Sequence, residues 1–319
     1  MPDTSPAAEA RLAPAAPAPV FRRLVVVGAG LIGSSVARIA HERGRPGGDL
    51  AAEVIVTDSS PDVLARVAVL GFADGIEPDA GRAVQGADCV MLCAPVGAYA
   101  GIAAAISPHL APGTVVTDVG STKVSVIRDV APLLPAGVRF IPAHPLAGTE
   151  YSGPDAGFST LFQGRWCLLS PPAGADPAAV AQVAELWRRM GSMVETMEPT
   201  HHDRVMAIVS HLPHLIAFTI CGTADDLEGG TGDDATRAEV LKFAASGFRD
   251  FTRIAASDPV MWRDVFLNNR DALLEMLARF TEDAQAMARA VRWGDGAYIE
   301  DRIKRGRAIR QGLIELKQA

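Results

Sequence analysis

Short apolar runs alternate with helix-like stretches over residues 22–198, a glycine-rich turn follows the first run, and the pattern becomes purely helical after Pro199. Together these predict an α/β chain, with a Rossmann-type, mainly parallel sheet domain followed by an all-helical dimerisation domain. At 319 residues the chain is long enough for two cores. We expect a disordered N-terminal tail over 1–21, a dinucleotide-binding domain over 22–198 and a helical domain over 199–319.

The predicted strands are the runs 24–28, 53–58, 88–94, 114–119, 138–142 and 166–170. A helix follows at 178–190, and 193–197 reads as a last short strand. From His201 to Thr223, Val205, Ile208, Val209, Leu212, Leu215 and Ile216 keep helical spacing. Pro213 lies inside that helix and predicts a kink. A mobile loop is expected over 225–236. A second long helix starts at Asp258-Pro259, with aspartate as cap and proline in the first turn. Its apolar residues Val265, Phe266, Leu273, Leu274, Leu277 and Phe280 are too many for one helix to hide, so a homodimer through the helical half is expected. The last helix is placed at 299–317.

The segment Val27-Gly28-Ala29-Gly30-Leu31-Ile32-Gly33 matches Gly-x-Gly-x-x-Gly between a strand and a helix. Gly28 allows the tight turn, Gly30 lets backbone approach a pyrophosphate, and Gly33 lets the helix lie close to the sheet. The helix N-terminus, at Leu31 and Ile32, then offers free N–H groups to the phosphates. Asp58 closes the second run, where a carboxylate accepts from a ribose hydroxyl and favours NAD over NADP. It stands 25 residues after Gly33, and the loop around Gly44–Gly48 absorbs the excess. A solvated turn aspartate is the plainer reading of the same residue. Ala94, Pro95, Asp118 and Gly120, beyond the next two strands, complete the expected cofactor surface.

Thr117-Asp118-Val119-Gly120-Ser121-Thr122-Lys123 and His144-Pro145-Leu146-Ala147-Gly148-Thr149-Glu150 each follow an apolar run. In open parallel sheets ligands gather beyond the carboxyl ends of strands, so Ser121 and His144 meet there. Ser121 suits a substrate hydroxyl and the orientation of the imidazole, with helix capping as its alternative. Taken alone His144 is more simply structural. The glycine and polar residues after it, at a predicted strand end, favour a base working near pH 7. A base and a hydride acceptor on one domain point to oxidation of an alcohol carbon. In the helical half, Ser210 and His214 share a face. Arg249 and Arg253 do so too, and a paired arginine face suits carboxylates, although a solvated cationic face is the commoner fate. Trp262 is more often core than site. His201 and His202 lack a third ligand at sensible spacing, so no metal is expected.

A net charge of −7 argues against a general nucleic-acid partner. The four cysteines show no paired spacing, which suits a reducing, cytoplasmic setting. No secretion signal is visible, and no apolar run approaches the 18 residues needed to cross a membrane.

In order along residues 22–290 stand Gly-x-Gly-x-x-Gly, Asp118-Val-Gly-Ser-Thr-Lys123, His144-Pro-Leu-Ala-Gly-Thr-Glu150, Ser210-His-Leu-Pro-His214 and Gly247-Phe-Arg-Asp-Phe-Thr-Arg253 running on to Asp264. This series resembles the prephenate/arogenate (cyclohexadienyl) dehydrogenases of tyrosine biosynthesis, and the last three motifs are the specific ones. The resemblance implies NAD-dependent oxidative decarboxylation of a cyclohexadienol. It implies that His144 is the base at the ring hydroxyl and that Ser121 contacts both. It gives Arg253 the ring carboxylate and Arg249 the side-chain carboxylate. Thr149 and Glu150 line or gate the pocket, Ser210 and His214 stand near cofactor and substrate, and Trp262 closes the pocket from a partner subunit. Some relatives carry lysine where this chain has Arg249. No mutase or regulatory domain is expected in this chain. Two other readings stay open on sequence: a β-hydroxyacid-type dehydrogenase, and a non-catalytic NAD(H) sensor.

Overall fold

The computed structural model describes residues 18–45, 48–229 and 242–315. Six parallel strands form the first sheet: β1 (Phe21–Val27), β2 (Ala51–Thr57), β3 (Gly75–Ile76), β4 (Cys89–Leu92), β5 (Val115–Asp118) and β6 (Arg139–Ile141). Their order is β3-β2-β1-β4-β5-β6, so the chain reverses its direction of travel between β1 and β4. Ligands of such sheets bind in the crevice beyond the carboxyl ends at that point. The strands carry apolar, buried runs because both faces are covered there. Leu24, Val26, Val54 and Val56 pack into one core with Ile39 and Trp187, while Val25, Val27, Val90 and Leu92 pack into another with Tyr99 and Ile106. The covering helices are α1 (Leu31–His41), α2 (Pro61–Leu70), α3 (Ala80–Ala83), α4 (Tyr99–Ile106) and α5 (Val124–Val130).

The run expected to continue this sheet turns instead into a second one. β7 (Ala143–Pro145) pairs antiparallel with β8 (Trp166–Leu169), and β9 (Met193–Thr196) lies parallel to β8 across α6 (Pro177–Arg189). Pro142 has no N–H for a ladder, which ends β6 there and lets the chain switch sheets. His144 is therefore the middle residue of a strand and not the residue past a strand end. β3 and β7, at two and three residues, are too short to show a period of two in the sequence.

β1 starts at Phe21, which is 2% exposed, so the stretch assigned to a tail already contributes to the core. The Ala18 carbonyl accepts from Arg189 and the Val20 carbonyl from Gln182. Residues 1–17 lie outside the described residues.

Beyond residue 198 the described structure is helical. α7 (Pro199–Met206) passes through one π-helical turn, Ala207–His211, into α8 (Leu212–Gly229). Pro213 lacks a donor and its ring crowds the carbonyl four residues back, so the irregularity falls upstream at 207–211 and not at the proline itself. Residues 225–229, expected in a loop, continue α8, while 230–236 lie outside the described residues. α9 (Ser246–Thr252) runs into a 3₁₀ turn, Arg253–Ala256. The expected second long helix is two: α10 (Pro259–Asn268) and α11 (Arg270–Trp293), separated by Asn269 at φ −114°. Asp258 caps α10 as predicted, accepting from Met261 N–H at 2.8 Å. α12 (Gly296–Glu315) completes the described chain.

One correction concerns hydrophobic length. Pro199–Asp226 is helical, with a window of mean hydropathy 1.7, and by length and composition it is long enough to cross a membrane. Its first turns are tied to the sheet domain by His202 and Asp203, and Ile208, Val209 and Ile220 of the same run are exposed.

Candidate active site

The glycine turn occupies the three residues between β1 and α1. Gly28 has φ +100°, and a Cβ there would lie 2.8 Å from the Cys93 carbonyl at the exit of β4. A Cβ on Gly33 would stand 1.9 Å from the Gly28 oxygen. Gly30 differs from both. It sits at φ −71° as the N-cap of α1, and a Cβ there would meet nothing within 4 Å. Ser34 N–H is the first to bond back, to Gly30. The N–H groups of Leu31, Ile32 and Gly33 thus have no partner among the described residues, at a helix N-terminus with open space at Gly30, a cradle that fits a dinucleotide pyrophosphate. Ala94 and Pro95 follow β4 at the same edge of the sheet.

Asp58 is already engaged. Oδ2 accepts from Ala29 N–H at 2.8 Å and Oδ1 from Ser60 N–H at 2.9 Å, so it braces the glycine turn. Each oxygen keeps a second lone pair for a ribose hydroxyl. Asp118 requires a correction. It is 0% exposed and lies beneath the site, beyond reach of a cofactor. Its oxygens accept from Gly120 N–H at 2.7 Å, Ala143 N–H at 3.1 Å and Lys123 Nζ at 2.6 Å. Gly120 is likewise buried, where a Cβ would come within 2.9 Å of Asp118 Oδ2.

Lys123 is fully buried as well, and its Nζ also donates to the Ala143 carbonyl at 2.6 Å. Burial pushes the Asp118 pKa up and the Lys123 pKa down, and their mutual contact opposes both shifts. Both backbone groups of Ala143 are thereby held by one ion pair, which fixes the residue just before His144.

His144 is 8% exposed. Its Nδ1 lies 2.9 Å from His202 Nε2, and His202 Nδ1 lies 2.8 Å from Asp203 Oδ1. Asp203 also accepts from Lys123 N–H at 2.7 Å and Val124 N–H at 3.0 Å, capping α5 from the helical half. That cap is the place Ser121 would have taken in its plainer reading. Ser121 is half-buried and has no recorded bond to His144, whose Nδ1 is used by His202. Among the described residues His144 Nε2 has no hydrogen-bond partner, yet it is not one of the sealed polar atoms. Burial first, then the charges of His202, Lys123 and His211, holds its pKa well below the ordinary value.

The helical half adds a second set. Asn269 Nδ2 donates to the Asp203 carbonyl at 2.8 Å and meets His211 Nδ1 at 3.0 Å. Burial brings the His211 pKa down to about 4. His214 Nδ1 lies 2.9 Å from the Ser210 carbonyl, as the i,i+4 spacing predicts, and its ring stacks on Trp262 at 3.7 Å. Trp262 is 7% exposed, packed by its own chain between His214 and Phe266. Arg253, 65% exposed, sits 4.0 Å from Glu150; burial lowers the His214 pKa, and the Arg253 charge adds to that. Thr149 and Glu150 lie exposed on the loop after β7, and that loop is tied back to α1 and α2 by Arg38–Pro154 and Arg66–Asp155 bonds. Arg249 is exposed on α9, one turn before Arg253. Two apolar grooves of about 460 and 560 Å³ meet at Pro171, Pro172 and Thr196, and neither is lined by any of these groups.

Sequence reasoning missed His202, Asp203, Lys123 and Asn269. A usable signal existed for His202, which shares the buried helical face of Met206 while His201 does not. None existed for Lys123, whose partners Asp118 and Ala143 are set by the crossing of two sheets.

A parallel sheet with this glycine cradle, followed by a helical half that completes the surroundings of a buried histidine, defines a two-domain, NAD-binding oxidoreductase. Residues 48–196 match the family model described as prephenate dehydrogenase, nucleotide-binding domain, and residues 198–305 match prephenate dehydrogenase, dimerization domain. The chain belongs to the prephenate dehydrogenase family. Cyclohexadienyl dehydrogenase of Zymomonas mobilis is 39% identical over 92% of this chain and 97% of its own length. Prephenate dehydrogenase of Bacillus subtilis is 30% identical over 91% and 76%. The crystal structure of the A. aeolicus prephenate dehydrogenase in complex with hydroxyphenyl propionate and NAD+ superposes with a TM-score of 0.80 at 30% identity, covering 92% of this chain and 98% of that one.

Proposed function

We propose that the chain catalyses NAD-dependent oxidative decarboxylation of both prephenate and arogenate, giving 4-hydroxyphenylpyruvate and tyrosine. The observation that carries this reading is His144, its Nδ1 held by His202 and its Nε2 left free, in a chain with a dinucleotide cradle. When bound across Gly28–Gly33, NAD supplies the hydride acceptor. His144 Nε2 takes the proton of the ring hydroxyl, which raises electron density at the carbon that is oxidised. Ser121 orients that hydroxyl. Arg253 holds the ring carboxylate without over-stabilising a charge that disappears as carbon dioxide leaves. Arg249 attracts the side-chain carboxylate, while Thr149, Glu150, Ser210 and His214 line the space between. Exposed apolar residues at 208, 209, 267, 274, 280 and 291 support a homodimer through the helical half. We place the domain division at 198/199 and the enzyme in the cytoplasm, its cysteines free, with no nucleic-acid or membrane partner.

NADH formation followed at 340 nm with prephenate and with arogenate tests the reading. Turnover of both is expected, and of neither would refute it. His144→Asn should lower kcat roughly 10²–10⁴-fold, the usual worth of a general base; near-normal turnover would remove His144 from the chemistry.

A further inference from the structure

His202 and Asp203 sit behind the base, and their geometry restricts where its protons lie. Asp203 Oδ1 accepts a backbone N–H from Lys123 at 2.7 Å while Oδ2 accepts one from Val124 at 3.0 Å. Two obligatory donors on the carboxylate make it an acceptor, so the His202 Nδ1 at 2.8 Å must be the N–H that donates to it. In neutral His202 the Nε2 then carries the lone pair. The His144 Nδ1 at 2.9 Å must in turn be the donor. That leaves the lone pair of His144 on Nε2, which has no protein partner among the described residues.

We propose that Asp203 and His202 are positioning residues that lock His144 in its Nδ1–H tautomer and accept the charge it acquires. The proposal rests on the reading of His144 as the base. When Nε2 takes the substrate proton, the imidazolium's Nδ1 proton passes to His202 Nε2. The positive charge then lies on the ring that faces Asp203, and both nitrogens of His202 carry a proton. No atom is gained or lost beyond the one proton that left the substrate. The surrounding charges favour that direction. Burial opposes a cation on either ring, and Lys123 and His211 repel one on both; only His202 has carboxylates, Asp203 and Asp118, that favour it. Asn269, donating to the Asp203 carbonyl, holds the relay's far end.

The test uses the full-length protein, labelled with ¹⁵N-histidine, and two variants. In the unliganded enzyme at pH 7.5 the ring-nitrogen spectrum should show His144 protonated at Nδ1, with assignment by His144→Asn. His202→Leu removes the acceptor and should lower kcat roughly 10²–10³-fold with KM changed less than about threefold, as expected when a base loses its tautomer. His202→Gln restores an acceptor to His144 Nδ1 and should recover at least about tenfold of that loss. A spectrum with His144 protonated at Nε2 would overturn the proposal, as would a His202→Leu kcat within threefold of the parent, or a glutamine variant no better than leucine. If His202→Leu does not fold, the parent spectrum and the glutamine variant still decide. Failure of the base itself is read separately: His144→Asn would keep turnover while the tautomer stood as assigned.

Discussion

Lys123→Met isolates what the buried ion pair contributes. Both side chains are 0% exposed and 2.6 Å apart, and among the described residues Lys123 is the only side chain that donates to Asp118. The methionine fills much of the lysine volume, so packing changes little. It leaves a carboxylate charge in a sealed site with two backbone N–H donors, from Gly120 and Ala143, and it leaves the Ala143 carbonyl without its Nζ donor. Stranding one member of a buried pair costs about 3–5 kcal/mol, a large fraction of the roughly 5–15 kcal/mol that holds a typical protein folded. Replacing both charges should do less harm. In Asp118→Asn/Lys123→Met no charge remains to be stranded, and the lost hydrogen bonds cost about 1–2 kcal/mol. Urea unfolding followed by circular dichroism measures both variants. A single variant within about 1 kcal/mol of the parent, or a double variant as unstable as the single, would refute the claim that this pair clamps Ala143 through mutual charge.

Three further outcomes are expected. Gly30→Ala should leave the melting temperature unchanged, since its Cβ meets nothing within 4 Å, and should raise the KM for NAD roughly tenfold or more if pyrophosphate occupies that space; an unchanged KM would place the cofactor elsewhere. Arg253→Ala should raise KM for the cyclohexadienyl substrate by about 1.5–3 kcal/mol of lost charge-assisted bonding, the lower end if the residue stays as exposed as it is here, and an unaltered kcat/KM would exclude it from the pocket. Acidification should destabilise the fold. His144 and His211 bind protons more weakly folded than unfolded, so their contribution is complete above pH ~6.5 and is lost as pH falls towards their folded pKa values, by about 1.4 kcal/mol per unit for each. For His211 the window closes at about 4. A urea midpoint that does not move between pH 7.5 and 5.5 would show these rings are not buried neutral.

Much of the fold was legible because it rests on local pattern. β1, β2, β4 and β5 carry apolar runs buried on both faces, and the turn after β1 needs the positive φ that Gly28 supplies. The helix cap at Asp258 is written in a single residue. What the sequence hid was long-range. β7 pairs with a strand more than twenty residues later, so His144 looked like a residue past a strand end. The break at Asn269 goes with a distant partner: Asn269 spends its amide on Asp203, 66 residues away, and not on its own helix. The site was half legible for the same reason. His144, Arg253 and the glycines stand in motifs, but the group that sets the tautomer of His144 comes from residue 202, and the helical spacing that marks His202 as buried does not tell that it meets residue 144.

The polar residues that no local rule explains form one connected set: Asp118, Lys123, His144, His202, Asp203, His211 and Asn269. Each is buried, and each would be replaceable by an apolar residue if packing alone were at stake. They are not scattered. Ala143 joins the first sheet to the second through Asp118 and Lys123, and Asp203 joins the sheet domain to the helices through α5. The set therefore runs along the seam where three structural units meet, and His144 is the member whose free nitrogen is not sealed. Burying that much polarity at a seam destabilises each unit taken alone. The compensation is geometric, because a change in how any two units meet must break a charged hydrogen bond. A base placed this way keeps its orientation for as long as the units stay joined, which a histidine on an exposed loop beyond a strand would not.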